Sequence, residues 1–395
     1  MLRSAWLAAV LALGCHGNAQ PKVETPVPKE GKQHDKEQRS ALNDARDAAK
    51  NGDIDAADAK YAAAYAVKKD FEVLEERVDF LIHSGRATKA QGLAKEYYDG
   101  PGAAEPKAYH LYAEALLVGG NGAEAREVAD QILKLNGEDP AGHEKMGRAL
   151  ILLEKTDDGL EELRKATQLD PASAVYHISL GQALHKLGRV EPAQLEFRAA
   201  VKAAPEDSMA NAMLGMALRD MNSLDEAKTY LDKAIELDAK NGRAYFELGL
   251  LYNRQQKQEQ AEQALAKAVQ ASPNESLFWY AYGEIYRLQS RFDEAVTAYK
   301  KAVALDPPYP KAMQKLGLLY IQQKKYDEAE EVLIPAIRKE PKNPANYLSL
   351  GVVYAAKKKN PLAIENYEKF LELAPKNDPD RGRAKAAISE LKARR

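Results

Sequence analysis

The chain has 395 residues and one cysteine, which excludes a disulfide-stapled fold and a zinc module held by several cysteines. Lys and Arg number 57 against 59 Asp and Glu, so net charge predicts no nucleic-acid partner. Alanine is frequent and aromatic residues make up only 7%, mostly Tyr, which favours closely packed helices over sheets. We therefore expect an all-α protein.

The first fourteen residues predict a signal peptide. Arg3 precedes an uncharged apolar run from Ala5 to Leu13 that is too short to cross a bilayer as a permanent helix. The next residue, Cys15, is the only cysteine of the chain. The sequence Leu-Ala-Leu-Gly-Cys that ends there resembles a bacterial lipobox. The resemblance implies cleavage before Cys15, lipidation of its thiol and anchoring to a membrane.

The resemblance also implies a location. His16 follows the cysteine where an Asp would favour inner-membrane retention, so we expect the outer membrane, facing the periplasm. The alternative is an ordinary secretory peptide cut near Ala19, which leaves no anchor. Residues 15–37 contain three prolines, four lysines and few apolar side chains, a composition that predicts a disordered tether after the lipidated cysteine.

The following segment is an internal repeat of 34 residues. Glycine recurs at this spacing at positions 147, 181, 215, 249, 283, 317 and 351, and proline at 171, 205, 273, 307, 341 and 375. The pattern resembles the tetratricopeptide repeat over residues 38–377. The implied units begin at 38, 72, 106, 140, 174, 208, 242, 276, 310 and 344. The resemblance implies an all-α, right-handed superhelical solenoid of about ten helix-turn-helix units.

The unit Gly242 to Glu275 illustrates the pair of helices that each repeat predicts. Small and apolar residues share one face of each predicted helix: Tyr245, Leu248, Gly249, Tyr252 in the first and Ala261, Leu265, Ala268 in the second. Gly249 and Ala261 are expected where the two helices cross at close range. The match weakens at the start of the array, where Ala45, Asp79 and Ala113 replace the glycine. Residues 378–395 predict one more helix that caps the stack.

Nothing in the sequence predicts catalysis. It contains no P-loop, dinucleotide turn, HExxH motif or nucleophile elbow, so we expect no enzyme activity, no cofactor, no small-molecule substrate and no metal site. His143 and His177 hold equivalent places in adjacent units and are expected to pack on the partner helix, with metal binding as the alternative. His110 and Glu114 share a helix face and predict a solvated pair.

Helical geometry at 100° per residue predicts a concave groove along positions 2, 5, 9 and 12 of each unit. From the sixth unit onward this stripe is apolar with a basic edge, and twelve candidate partner-binding residues follow: Met209, Met216, Arg219, Arg243, Phe246, Leu250, Leu277, Tyr280, Arg287, Lys311, Leu318 and Ile321. One explanation is that superhelical closure or the C-terminal cap covers them. The other is a site for the apolar face of a partner helix or peptide.

Two functions remain open at this point. The family resemblance implies a non-catalytic, membrane-anchored scaffold whose groove binds peptides or helices of partner proteins. The alternative is an assembly subunit of an envelope machine, such as a pilotin for a secretin or a polysaccharide-export component. Both need a protein partner and a lipid anchor, and neither needs nucleic acid.

Overall fold

The computed structural model describes residues 29–307 and 309–393, with side chains from residue 34. The predicted signal peptide (1–14) and Cys15 lie outside these residues. Within the described chain every regular element is an α-helix, which confirms the all-α solenoid. None of these helices is both long and apolar enough to span a membrane.

The helices alternate between a first and a second member of each pair. The first helices are α1 (Lys29–Lys50), α3 (Phe71–His83), α5 (Pro106–Val118), α7 (Pro140–Leu152), α9 (Ala174–Lys186), α11 (Ser208–Asp220), α13 (Gly242–Arg254), α15 (Ser276–Leu288), α17 (Pro310–Gln322) and α19 (Pro344–Ala356). The second helices are α2 (Ile54–Lys68), α4 (Ala87–Asp99), α6 (Gly122–Leu135), α8 (Thr156–Leu169), α10 (Val190–Ala203), α12 (Leu224–Leu237), α14 (Gln258–Ala271), α16 (Phe292–Leu305), α18 (Tyr326–Lys339) and α20 (Asn360–Leu373). A final helix, α21, spans Arg381–Ala393.

The chain divides into two compact units, the first ending at His83 and the second beginning at Ser84. In the first unit, α1 begins at Lys29 and so enters the segment 15–37 for which composition predicts a tether. Tyr61 and Ala64 of α2 are buried there, and Arg77 contacts Asp58 at 2.7 Å in a buried ion pair. The second unit contains eight consecutive pairs, α5/α6 to α19/α20, whose first helices begin 34 residues apart.

Each of these eight pairs turns in the same way. In the turn of each pair one residue has a left-handed backbone with positive φ. Glycine fills this place in only two of the eight turns; the residues are Gly120, Glu154, Gly188, Asn222, Gln256, Ser290, Lys324 and Lys358. The next N–H then donates back to a carbonyl five residues earlier, as Lys325 does to Tyr320 at 2.8 Å. This is the hydrogen bond of a Schellman motif, which stops the first helix and lets the second return antiparallel.

The repeated glycine lies where the two helices of a pair come closest. A Cβ atom on Gly249 would lie 2.6 Å from Cγ of Leu265 and 3.4 Å from the carbonyl oxygen of Ala261. Ala261 itself is fully buried. The expected crossing is therefore present, and its tightest contact is with the Leu265 side chain, one turn beyond the small residue.

At the C-terminal end, α21 packs on α20 as the predicted cap. Ala384 and Leu391 are buried in the same apolar cluster as Tyr367 and Phe370 of α20. The opposite face of α21 is exposed and charged, with Lys385 and Lys392 in contact with solvent. The cap thus covers apolar surface of the last pair, as the end of a solenoid requires.

Candidate functional site

The first helices of the second unit form a continuous surface. Adjacent first helices contact one another directly, as α5 does α7 and α11 does α13, in addition to the contacts within each pair. We call the surface that these helices present, away from their second helices, the inner face. The twelve residues predicted to line a groove all belong to first helices of this face.

Their exposure differs widely. Met209, Leu277, Lys311 and Leu318 are exposed, with about two fifths of the side chain accessible for the three apolar residues (42%, 41% and 47%). A further set is half-buried: Arg219, Arg243, Leu250, Tyr280, Arg287 and Ile321.

Met216 and Phe246 contradict the prediction, because both are buried. The ring of Phe246 stacks on Phe278 of the next first helix with centroids 4.6 Å apart. The sulfur of Met216 lies 3.1 Å from a guanidinium nitrogen of Arg243. Neighbouring first helices meet at these positions, so the side chains belong to the core between pairs and a partner has no access to them.

The predicted basic edge is also largely neutralised within the protein. Arg219 contacts Glu247 at 2.5 Å and Asp220 at 2.8 Å, and Arg243 contacts the other oxygen of Glu247 at 2.7 Å. Glu247 is 1% exposed, so the pair of arginines compensates a buried carboxylate. These two arginines of the predicted basic edge therefore have structural partners within the protein.

A similar network links the earlier pairs. Glu114 of α5 accepts hydrogen bonds from Arg148 and Lys145 of α7, and Arg148 also contacts Glu144 at 3.0 Å. Burial raises the pKa of Glu114, but the two cations and their hydrogen bonds outweigh it and hold the pKa at about 2. His110 contacts Asp139 at 3.0 Å instead of pairing with Glu114. Both residues of the predicted solvated pair thus have partners in the next pair of helices.

The inner face opens between α15 and α17. Contacts between these two helices are weaker than between any other neighbouring first helices from α5 to α19. A cavity of about 210 Å³ lies in the gap, lined by Arg287, Phe292, Lys315, Leu318, Leu319 and Gln322. Of the predicted residues, the cavity brings Arg287 and Leu318 together.

The other four lining residues were absent from the predicted stripe. Lys315, Leu319 and Gln322 stand one residue beyond its positions, so a stripe two residues wide would have included them. Phe292 starts a second helix, and no helical periodicity of the first helix indicates it. Its place at the cavity follows from the turn after α15, whose geometry the sequence does not reveal.

The charges at the cavity leave a positive surplus. Arg287 contacts Glu284 at 2.8 Å, and Lys315 lies 3.8 Å from the same carboxylate. Burial raises the pKa of Glu284, but hydrogen bonds from Arg287 and Tyr299 and the charge of Lys315 outweigh it and lower the pKa. Lys311 is exposed and has no ionic partner among the described residues. Arg287 and Lys315 thus outnumber the single carboxylate of Glu284, and Lys311 adds a further positive charge beside them. This surplus suits an acidic group of a ligand.

Metal binding is not supported by the described side chains, since no group of three or more His, Cys, Asp or Glu could hold an ion there. His143 and His177 each contact a glutamate of their own pair, Glu162 at 2.5 Å and Glu196 at 2.7 Å. They do pack against the second helix, as expected, with Nδ1 of each ring within hydrogen-bond distance of the glutamate.

Two family models of the tetratricopeptide repeat match the sequence. The cytochrome c-type biogenesis protein H TPR domain matches residues 263–381, and a general tetratricopeptide repeat model matches residues 144–208 and 212–276. Together the matches cover more than half of the chain. No curated protein matches the sequence significantly.

Solved structures of low identity share the fold. The APC/C heterotetramer Cut9–Hcn1 is 15% identical with a TM-score of 0.55, covering 90% of this chain and 76% of that one. The human IFIT1 dimer with m7Gppp-AAAA is 18% identical with a TM-score of 0.53, covering 82% and 81%. The helix pairs, their 34-residue spacing and the family models together show that the chain is a tetratricopeptide repeat protein, built as a scaffold for protein interactions.

Proposed function

We propose that the protein is a membrane-anchored scaffold that holds a segment of a partner protein on the inner face of α15, α17 and α19. The observation that carries this proposal is the cavity between α15 and α17. Elsewhere on the inner face neighbouring first helices close on one another, whereas here Leu318 stands at the opening and is 47% exposed. Leu277 on α15 and Val352 on α19 extend the apolar surface.

The cavity defines the chemistry of the segment. Leu319 and Phe292 provide an apolar lining that suits one aliphatic or aromatic side chain. Lys311 and Lys315 suit a carboxylate close to that side chain. The partner segment is therefore apolar on one face and acidic at its border, which an amphipathic helix satisfies.

The family match over residues 263–381 supports the same region, because it spans α15 to α20 and was built on the TPR domain of a cytochrome c-type biogenesis protein. It also supports the alternative of an assembly role, in which the bound segment belongs to a component of a larger envelope machine. In both cases the binding surface is the inner face described above.

The anchor rests on the sequence. An apolar run is followed directly by the chain's only cysteine in a lipobox-like context, and one lipidated residue at this place would tether the repeats to a membrane, for which we favour the outer membrane facing the periplasm.

The groove is tested by the double variant Leu277→Asp/Leu318→Asp. Two charges on the apolar surface should exclude an apolar segment, and because both side chains are exposed the fold should remain intact. We expect the proteins that co-purify with the chain from detergent-solubilised membranes to include one whose quantity falls at least about tenfold in the variant. Helicity by circular dichroism should stay unchanged.

A matched control is Leu195→Asp in α10. Leu195 is 65% exposed but belongs to a second helix, away from the inner face. The same partner should be retained at its wild-type level. A partner profile that is identical in the groove variant and the wild type would refute the proposed surface, and equal loss in both variants would show that added charge alone explains the effect.

The anchor is tested with Cys15→Ala. Cells grown with an alkyne fatty acid should label the wild-type chain, and the label should be absent from the variant because the acylated thiol is gone. The neighbouring variant His16→Ala should keep the label. An unlabelled wild-type chain, or a labelled Cys15→Ala variant, would be incompatible with lipidation at this cysteine.

A further inference from the structure

One hydrogen bond recurs at the junctions between successive helix pairs. The fourth residue of a first helix donates to the carbonyl oxygen of the residue six positions earlier, in the turn that leads from the preceding second helix. The donors and acceptors are Tyr109 with Ala103, His143 with Gly137, His177 with Pro171, Asn211 with Pro205, Trp279 with Pro273 and Tyr347 with Pro341, at 2.8 to 3.2 Å. Each bond ties a pair of helices to the one before it.

Four of these donors keep their hydrogen throughout the physiological pH range, because a phenol, an amide and an indole do not titrate there. The two exceptions are His143 and His177, at the starts of α7 and α9. The other ring nitrogen of each histidine, Nδ1, lies 2.5 Å from Glu162 or 2.7 Å from Glu196. Each imidazole thus stands between two oxygen acceptors, a carboxylate and a backbone carbonyl.

A neutral imidazole has one N–H and one lone pair, so it satisfies only one of two acceptors. The other acceptor would then face the ring lone pair. Only the imidazolium donates in both directions. We propose that His143 and His177 hold the junctions before α7 and α9 as imidazolium ions, and that these two junctions loosen when the imidazoles lose their second proton.

The surroundings favour the charged ring. Glu162 of α8 faces His143, and Lys165, on the same helix, donates to the second oxygen of that carboxylate at 3.0 Å. Glu196 of α10 faces His177. No other charged side chain of the described residues lies within ion-pair distance of either ring, and both histidine side chains are largely buried, 12% and 13% exposed.

Two other histidines supply an internal contrast. His110 and His185 contact Asp139 and Asp220 at 3.0 and 2.7 Å through Nε2 alone. A neutral ring with its hydrogen on Nε2 can also make this contact, and Nδ1 of His110 is buried without any partner among the described residues. Nothing in their geometry requires a second proton.

The direction of the pH effect follows from proton binding. An opened junction does not need the second proton, whereas the closed junction holds it through both hydrogen bonds. Because the closed form binds more protons, raising the pH favours opening by up to about tenfold per pH unit for each histidine.

At the acid end Glu162 acts in the opposite direction. Burial raises the pKa of Glu162, but hydrogen bonds from His143 and Lys165 outweigh it and lower the pKa. Its contribution is present above the ordinary carboxylate range of about 4.3 and is lost as the pH falls below it. The junction before α7 is therefore weakened at both the acid and the alkaline end of the pH range.

Hydrogen exchange of the full chain tests the proposal. After correction for intrinsic rates, amides of α7 and α9 should lose about tenfold in protection between about pH 5.5 and about pH 7.5. Amides of α11, whose junction is held by Asn211, should not change. Equal losses in α9 and α11, or no loss in α7 and α9, would overturn the proposal.

The variant His143→Asn/His177→Asn replaces each imidazole by a side-chain amide, the donor that Asn211 provides at the junction before α11. It should keep the backbone hydrogen bonds and abolish the pH dependence of α7 and α9; a persistent dependence would refute the assignment. If this variant folds poorly, the proposal is tested instead by the nitrogen chemical shifts of the imidazoles in the wild-type protein. His143 and His177 should be doubly protonated whenever α7 and α9 are protected from exchange, and neutral rings in the protected state contradict the proposal.

Discussion

Asn346 shows how a single residue departs from the repeat without gain in stability. It is the third residue of α19 and is fully buried, and neither its amide oxygen nor its nitrogen has a hydrogen-bond partner among the described residues. The same place in other pairs holds Ala210, Ala244 and Ala312, all equally buried. A buried amide without partners costs about 1–3 kcal/mol in unfolding free energy.

We therefore expect Asn346→Ala to stabilise the protein. The substitution removes two unpaired polar groups and installs the residue that neighbouring pairs already accommodate, so the free energy of unfolding should rise by about 1 kcal/mol or more in urea titrations. Asn211→Ala is the control. Asn211 is also fully buried, but its nitrogen donates to the carbonyls of Pro205 and Asp207. Its removal should lower stability, and the same sign for both variants would contradict the explanation.

At the scale of the helix pair, the sequence predicts which positions need a small residue. It does not predict the conformation of the turn residues. The glycine at seven of the crossings is visible because a Cβ atom there would collide with the second helix, as one on Gly249 would with Leu265. The left-handed turn residue is not visible, because Glu154, Gln256 and Lys324 tolerate a backbone that glycine adopts more easily. The pairs were thus predictable, and the chemistry of their turns was not.

The candidate site was only partly predictable for a related reason. Helical periodicity places Phe246 and Leu318 on the same stripe, although one is 4% and the other 47% exposed. The difference arises from the spacing between successive first helices, which no single helix encodes. Ion pairs such as Arg148 with Glu114, whose residues stand 34 apart, could be found by comparing equivalent places in adjacent units.

Across the whole second unit, each pair contacts chiefly the pairs before and after it, so damage should stay local. We expect Gly249→Leu to overpack the crossing of α13 and α14 and to cost about 1–3 kcal/mol or more. In hydrogen exchange, protection should fall in α13, α14 and the helices next to them, while α5 to α8 keep theirs.

Gly92→Leu is the matched control, since Gly92 is also helical and, apart from the adjoining backbone of its own helix and its chain neighbours, no atom lies within 4 Å of the position its Cβ would occupy. It should leave the exchange pattern unchanged. Loss of protection spread evenly from α5 to α20 after Gly249→Leu would show that the unit unfolds as one cooperative body.

The hydrogen bond between the fourth residue of a first helix and the carbonyl six positions earlier constrains how repeat units can be added to the chain or lost from it. Donor and acceptor flank six of the eight junctions before α5 to α19, and adjacent ones repeat 34 residues apart, as Asn211 with Pro205 follows His177 with Pro171. Excising one whole unit removes one donor together with one acceptor, and the two new neighbours still match. Gene duplication or loss in whole multiples of the unit therefore keeps the spacing of donor and acceptor at these six junctions, whereas a cut of another length that falls between them separates a carbonyl from its donor.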